Sequence, residues 1–258
     1  MKPKEVLKPI NFSGINCNVF DDNKFNQAIK LLRECTSGNG NIPIFVSDNI
    51  ITWNKNLSFL RDDYFKSILE SEDVGFREKS IIWRLYVLIY FAEACQKLDG
   101  DFLELGCKKG DTAKRVSEKI DFKSLNKYYW LYDLFEWKEG DEHQHLPEHD
   151  NPRMYENIKD RFADQPWVKI VKGNVPDSFE KNSPDQVAFA HIDMNNPSPE
   201  AGALEFVLPR LSRSGIVILD DYGWWGYSDQ KLKLDPIAAK HSLRILELPT
   251  GQGLILKP

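Results

Sequence analysis

The 258-residue sequence predicts a doubly wound α/β fold. The expected architecture is a mostly parallel, seven-stranded, Rossmann-like sheet that ends in an antiparallel hairpin. A helical and irregular extension precedes it. Three observations carry this expectation. From residue 100 onward, short apolar strands alternate with helical segments, a pattern that gives right-handed βαβ units with helices on both sheet faces. At the end, 243–248 and 254–257 read as strands joined by Pro249-Thr250-Gly251-Gln252-Gly253. So short a connection makes them antiparallel, because a parallel return needs a crossover. Before residue 100 the chain is polar, with only short apolar stretches.

The elements follow in order. Asp22 to Cys35 has Phe25, Ile29, Leu31 and Leu32 near helical spacing, and Ser37-Gly38-Asn39-Gly40 stops it. Short apolar runs occupy 42–46 and 49–53. A second helix spans 62–72. The third, 78–98, is apolar on almost every side (Ile81, Ile82, Trp83, Leu85, Val87, Leu88, Phe91) and should be buried against a sheet. Strands then fall at 101–105, 128–133, 168–171, 186–193 and 215–220. Helices fall at 112–120, 152–162 and 199–211. The domain bounds expected are 1–77 for the extension, as a cap over an acceptor site, and 78–258 for the α/β domain.

Composition excludes several functions. Lys and Arg total 34 against 39 Asp and Glu, a formal net charge of −5, with a pI near 5.6. That balance argues against nucleic acid as the main partner. The longest apolar run, Leu85 to Ala92, is far below the roughly 20 residues a membrane helix needs, so no membrane partner is expected. The first residues, MKPKEVLKPINFSG, contain no apolar signal core. Cys17, Cys35, Cys95 and Cys107 form no C-x-x-C pair and suit free thiols in a reducing, cytoplasmic setting.

The chemistry-bearing residues gather at the carboxyl ends of the expected strands, where doubly wound sheets bind ligands. The first strand runs into Glu104-Leu105-Gly106-Cys107-Lys108-Lys109-Gly110-Asp111-Thr112. Gly106 permits a sharp turn and Gly110 a close approach. The spacing E-x-G-x-x-x-G differs from the G-x-G-x-x-G of pyrophosphate binders and suits a cofactor without phosphates, such as S-adenosylmethionine (SAM). Asp133 ends the second strand, where a carboxylate accepts from ribose hydroxyls or serves as a turn residue. Asn174 and Val175, after the third strand, are expected beside adenine.

Asp193 ends the fourth strand, and Asp220 and Asp221 end the fifth. Adjacent strands lie about 4.8 Å apart, so these three acids should converge. Converging carboxylates repel unless a cation or proton intervenes, and oxygen ligands suit Mg²⁺. His191, two residues before Asp193, is a candidate catalytic group; a lone strand histidine also serves structure. The stretch 139–150 carries His143, His145 and His149 and reads as a polar loop that could close over the site, or as a metal site. Trp224, Trp225 and Tyr227 follow Asp221 and read either as an aromatic wall for an acceptor or as packing beside Gly223 and Gly226.

As an ordered set, these segments resemble the macrocin O-methyltransferase relatives among class I SAM methyltransferases. They are Glu104-Leu105-Gly106 with Gly110, Asp133-Leu134-Phe135-Glu136, Gly173-Asn174-Val175, His191-Ile192-Asp193, Leu219-Asp220-Asp221-Tyr222-Gly223 and the closing Gly251 to Pro258. The resemblance covers about residues 80–258. It implies a SAM- and Mg²⁺-dependent transfer to a hydroxyl of a sugar, glycoside or natural product, and a homo-oligomer. Cofactor contacts are expected from Glu104, Gly106, Gly110, Thr112, Asp133, Asn174 and Val175. Metal contacts are expected from Asp193, Asp220 and Asp221, and catalysis from Asp193 with His191. One departure stands out: where relatives often carry a second acid and a Tyr, Asp193 is followed by Met194-Asn195-Asn196-Pro197. The competing readings are a non-catalytic SAM-fold scaffold or sensor and an NAD-linked oxidoreductase. The absent G-x-G-x-x-G and the terminal hairpin disfavour the last.

Overall fold

A computed structural model describes residues 8–37, 42–139, 145–180 and 182–258. The chain divides into two compact units, Met1–Tyr86 and Val87–Pro258.

The first unit holds β1 (Asn11–Ser13), α1 (Asp22–Ser37), β2 (Ile44–Ser47), β3 (Ile50–Trp53), α2 (Asp63–Glu70), α3 (Phe76–Ser80) and the start of α4 (Ile82–Cys95). The expected helix stop at Gly38-Asn39-Gly40 lies outside the described residues. The two apolar runs form a hairpin, with β1 parallel to β2 on its other side. Asp48 and Asn49 turn it with φ 53° and 58°, the left-handed pair that matches strand twist in a two-residue loop. The Arg84 guanidinium grips Asp48 through two bonds, Nε to Oδ2 at 2.6 Å and Nη2 to Oδ1 at 3.0 Å. Aromatic rings fill the space beside β2: Phe45 meets Trp83 edge-on at 5.0 Å, and Phe59 stacks on Tyr86 at 5.0 Å. The helix expected over 78–98 is interrupted at Ile81, so α3 and α4 are separate.

The second unit continues with β4 (Asp101–Leu105), α5 (Asp111–Lys119), α6 (Phe122–Leu125), β5 (Tyr129–Asp133), α7 (Met154–Arg161), β6 (Val168–Lys172), β7 (Val187–Ile192), α8 (Pro197–Arg210), β8 (Leu211–Leu219), α9 (Ser228–Lys240), β9 (Leu246–Glu247) and β10 (Gly253–Leu256). Its seven strands are ordered β6-β5-β4-β7-β8-β10-β9. The pairs from β6 to β8 are parallel, and β10 is antiparallel to both β8 and β9. This is the expected sheet with its closing hairpin. The order reverses between β4 and β7, which opens a crevice at the carboxyl edge.

Strand alternation sends side chains to two cores. Phe102, Tyr129, Leu131, Phe189, Ile216 and Ile218 pack with α4, α5 and α7. Leu103, Leu105, Ile192, Val217 and Leu219 pack with α8 and α9. The apolar helix 78–98 was expected to be buried against a sheet, and its Leu88, Ala92 and Cys95 lie in the first of these cores.

Candidate active site

The turn after β4 is built on backbone bonds. Gly106 and Cys107 both donate to the Tyr132 carbonyl, at 2.8 and 3.2 Å, and Gly110 donates to Cys107 at 2.7 Å. Gly106 has φ 91°. A Cβ placed there would lie 1.8 Å from the Asp193 carbonyl oxygen, so only glycine lets the turn cross the end of β7 this closely. Gly110, at φ 77°, caps α5, and Thr112 sits in the first turn of that helix.

Asp133 ties this turn to the end of β5. Its Oδ2 accepts from Lys108 N at 2.7 Å and its Oδ1 from Phe135 N at 2.7 Å. A carboxylate has about four acceptor positions, so two bonds leave capacity for a ligand's hydroxyls. Gly173 N donates to the Asp133 carbonyl at 3.0 Å, which brings the loop after β6 alongside. In that loop Asn174 is exposed and donates to Asp177 Oδ2 at 3.3 Å, whereas Val175 is buried in the core shared with α8 and α9.

The acids converge as the topology requires. Asp193, Asp220 and Asp221 each offer a carboxylate oxygen, and the three oxygens lie within 4.8 Å of one another. Among the described residues this is the one such grouping of potential metal ligands. Asn195 Nδ2 donates to Asp193 Oδ1 at 3.2 Å, and Lys108 Nζ lies 3.9 Å from Asp193 Oδ2. The buried Gln252 donates to Asp220 Oδ1 at 3.1 Å and accepts from Thr250 Oγ1 at 2.9 Å. The terminal hairpin thereby reaches the acids.

Beneath them lies a buried polar row. Glu104 of β4 pairs in register with His191 of β7. Glu104 accepts from Tyr129 Oη at 2.7 Å. Burial pushes its carboxyl up to about 7, although His191 and Tyr129 act against this. The His191 Nε2 lies 3.5 Å from Asp220 Oδ1, and neither ring nitrogen has a hydrogen-bond partner of good geometry. Burial alone would lower its pKa; the surrounding Asp220, Glu104 and Asp193 carboxylates outweigh burial and raise it to about 9. The structure thus groups Glu104 with His191 and Asp220, and places Gly106 and Gly110 on the turn that Asp133 holds, with Thr112 in the first turn of the helix that follows.

Two residues outside the expected set also matter. Glu200 of α8 is 2 % exposed. It accepts from Met194 N at 3.2 Å and from Gln230 of α9 at 3.0 Å. Burial, with the Asp193 charge adding to it, holds its carboxyl well above the usual range. Lys108 touches both Asp133, through its backbone, and Asp193, through its ammonium. A lone Glu in a helix and a Lys in a glycine turn carry no sequence signal of this kind.

The aromatic residues after Asp221 stand in different surroundings. Trp224 packs against Gly251, where a Cβ would come within 2.3 Å of its Nε1. Trp225 is 93 % exposed. In the 139–150 stretch, residues 140–144, including His143, lie outside the described residues. His145 packs on Trp137 at 5.0 Å and meets Asp150 Oδ1 at 2.9 Å. His149 Nδ1 accepts from Leu146 N at 3.0 Å within a short 3-10 turn.

Comparison with known proteins fits this geometry. Residues 103–222 match the family model described as a methyltransferase domain. That matched segment lies within the larger unit. Its sheet is that of the class I SAM-dependent methyltransferase fold, with the hairpin that closes it. Among solved structures, the chain resembles the O-methyltransferase NovP, with 17% identity, 68% of this chain and 80% of that chain covered, and a TM-score of 0.55. It resembles the calicheamicin methyltransferase CalS11, with 12% identity, 75% and 89% covered, and a TM-score of 0.55. It also resembles an O-methyltransferase from Bacillus cereus, with 13% identity, 76% and 90% covered, and a TM-score of 0.51. No curated protein matches the sequence. Among the described residues, no helix is long and apolar enough to cross a membrane.

Proposed function

We propose that this methyltransferase moves the methyl group of SAM to a hydroxyl of a sugar, glycoside or natural product, and that it does so with Mg²⁺ held by Asp193, Asp220 and Asp221. The observation that carries this reading is the convergence of three carboxylate oxygens within 4.8 Å, directly beside the Gly106 turn that approaches the Asp193 backbone. The donor set is all oxygen and partly exposed, which suits a hard cation that retains positions for a substrate. The O-methyltransferases NovP and CalS11 share the fold, and CalS11 is described as a TDP-rhamnose 3'-O-methyltransferase. The resemblance to macrocin O-methyltransferase relatives points the same way.

The chain's own residues have separable tasks in this reading. Asp133 binds the ribose of the methyl donor with the acceptor capacity its two backbone bonds leave. Gly106 and Gly110 let the donor approach the backbone, and Asn174 with Val175 borders the adenine. Asp193 receives the proton that leaves the acceptor hydroxyl. It is suited to this because it ends β7 beside the turn and lacks an acidic neighbour in sequence. His191 stabilises the negative charge of Asp220 from below, and Gln252 holds that carboxylate from the hairpin side. When bound, the metal would acidify the acceptor hydroxyl and orient its oxygen toward the donor methyl. Asn195 offers a neutral carbonyl where relatives carry an acid.

The test is transfer of labelled methyl from SAM to a panel of sugars, nucleotide sugars and phenols, in EDTA and after Mg²⁺ is restored. The reading expects turnover on a hydroxyl acceptor that EDTA abolishes and Mg²⁺ restores. Full turnover in EDTA would leave a methyltransferase that uses a protein base alone.

A further inference from the structure

We propose that Glu200 and Gln230 are positioning residues that clamp the Asp193 turn and set the spacing between Asp193 and the Asp220–Asp221 pair. This rests on the reading of those three acids as metal ligands. The turn from Asp193 to Asn196 leaves β7 and enters α8. Asp193 N donates to the Leu105 carbonyl at 2.8 Å, and Asn196 caps α8 through Ser198 N at 3.0 Å. Between those anchors Asn195 has φ 53°, an uncommon conformation for a residue with a side chain. Among the described residues, the Met194 N–H is held by Glu200 Oε1 at 3.2 Å.

The same Oε1 accepts from Gln230 Nε2 at 3.0 Å. Gln230 lies near the start of α9, which follows the loop carrying Asp220 and Asp221. That loop is itself fixed: Gly223 N donates to Gly251, Trp224 N to Asp221 and Tyr227 N to Trp224, at 2.7, 3.1 and 2.9 Å. One carboxyl oxygen thus joins the turn after β7 to the helix after β8. The two strand ends that supply the acids are braced from behind as well as through the sheet. Both residues are buried, Glu200 at 2 % and Gln230 at 1 % exposure. A buried acid and amide on two apolar helix faces cost stability unless their bonds are made, and among the described residues the Gln230 Oε1 makes none. An apolar pair would pack α8 on α9 at lower cost, so the polar pair is suited to holding the Met194 amide rather than to packing alone.

The experiment uses the full chain and Mn²⁺ as the probe, read by electron paramagnetic resonance, with SAM affinity measured by calorimetry on the same samples. Glu200→Ala and Gln230→Ala should each weaken Mn²⁺ binding about tenfold, the scale of one lost buried hydrogen bond. SAM affinity should stay at the wild-type value. Glu200→Gln keeps an oxygen for both donors and should restore Mn²⁺ affinity to within about threefold. The double alanine variant should be no weaker than the weaker single one, because both remove the same brace. Wild-type Mn²⁺ affinity in Glu200→Ala would overturn the proposal. Equal loss in Glu200→Gln and Glu200→Ala would also overturn it, as would a fall in SAM affinity in step with Mn²⁺. If the wild type binds no Mn²⁺, the metal reading fails. The clamp is then judged by hydrogen exchange at the Met194 amide: faster exchange in Glu200→Ala, restored in Glu200→Gln, supports it, and unchanged exchange overturns it.

Discussion

Replacing Gly106 with alanine should cost more than any other single methyl added to the cofactor turn. The new Cβ would lie 1.8 Å from the Asp193 carbonyl oxygen and 2.6 Å from its carbon. Both are backbone atoms of a paired strand end, so neither can rotate away. Two costs add. The left-handed backbone at φ 91° disfavours a residue with a Cβ by about 1–2 kcal/mol. Overpacking against atoms that cannot yield adds about 1–3 kcal/mol. A total of about 3 kcal/mol lowers the melting temperature by about 6–12 °C for a domain of this size. The same displacement moves Asp193 and the Lys108 amide that Asp133 holds, so SAM binding should weaken as well. Gly226→Ala is the control, since nothing lies within 4 Å of a Cβ there. Thermal melts of both variants, with calorimetry against SAM, make the test. A Gly106→Ala variant that melts within about 1 °C of Gly226→Ala and binds SAM normally would refute the close-approach argument.

Three further outcomes follow from the geometry. Asp133→Ala strands the Lys108 and Phe135 amides and should weaken SAM binding by about 1–3 kcal/mol; unchanged affinity by calorimetry would remove Asp133 from the donor site. In EDTA, with no cation on Asp193 and Asp220, His191, raised from 6.5 to about 9 by those carboxylates and Glu104, should be protonated at neutral pH. Because its folded pKa lies above its unfolded one, its stabilising contribution is present in full below pH 6.5 and is lost as pH rises through about 9. Imidazole resonances that titrate near 6.5 would contradict this. Asp48→Ala removes the two bonds that the Asp48 carboxylate accepts from Arg84, whose side chain is 11% exposed. It should destabilise the first unit by about 1.5–3 kcal/mol in denaturant titration, the scale of hydrogen bonds to a charged group, whereas a loss no larger than that of a surface pair would show that the charge finds water.

The sheet was legible because parallel strands buried on both faces read as short apolar runs between helical segments. Asp101–Leu105 is the clearest case: the expected strand and the observed one share both ends. The converging acids were legible for a related reason, since Asp193 and Asp220 each follow directly on such a run and Asp221 comes next. Other parts left weaker signals. The helix Ser228–Lys240 carries Pro236 and many charges, and it is amphipathic only through Leu234 and Ala238. Its packing partner is α8, and no pattern within its own residues names that partner. The small hairpin of the first unit depends on Asp48 and Asn49 adopting left-handed backbone, and Arg84 secures that turn from 36 residues away. Glu200 was invisible for the same reason. Its role comes from a backbone amide and a glutamine that only the folded chain brings to it.

The central claim is that Asp193 acts on the acceptor and not on the methyl donor. It is tested most directly by single-turnover transfer of labelled methyl in wild type and in Asp193→Asn, with SAM affinity measured on the same preparations. The account predicts SAM affinity within about twofold of wild type and a fall in the transfer rate of about 10²-fold or more, the scale of a lost general base. Transfer at the wild-type rate by Asp193→Asn, or loss of SAM binding that accounts for the whole defect, would contradict it.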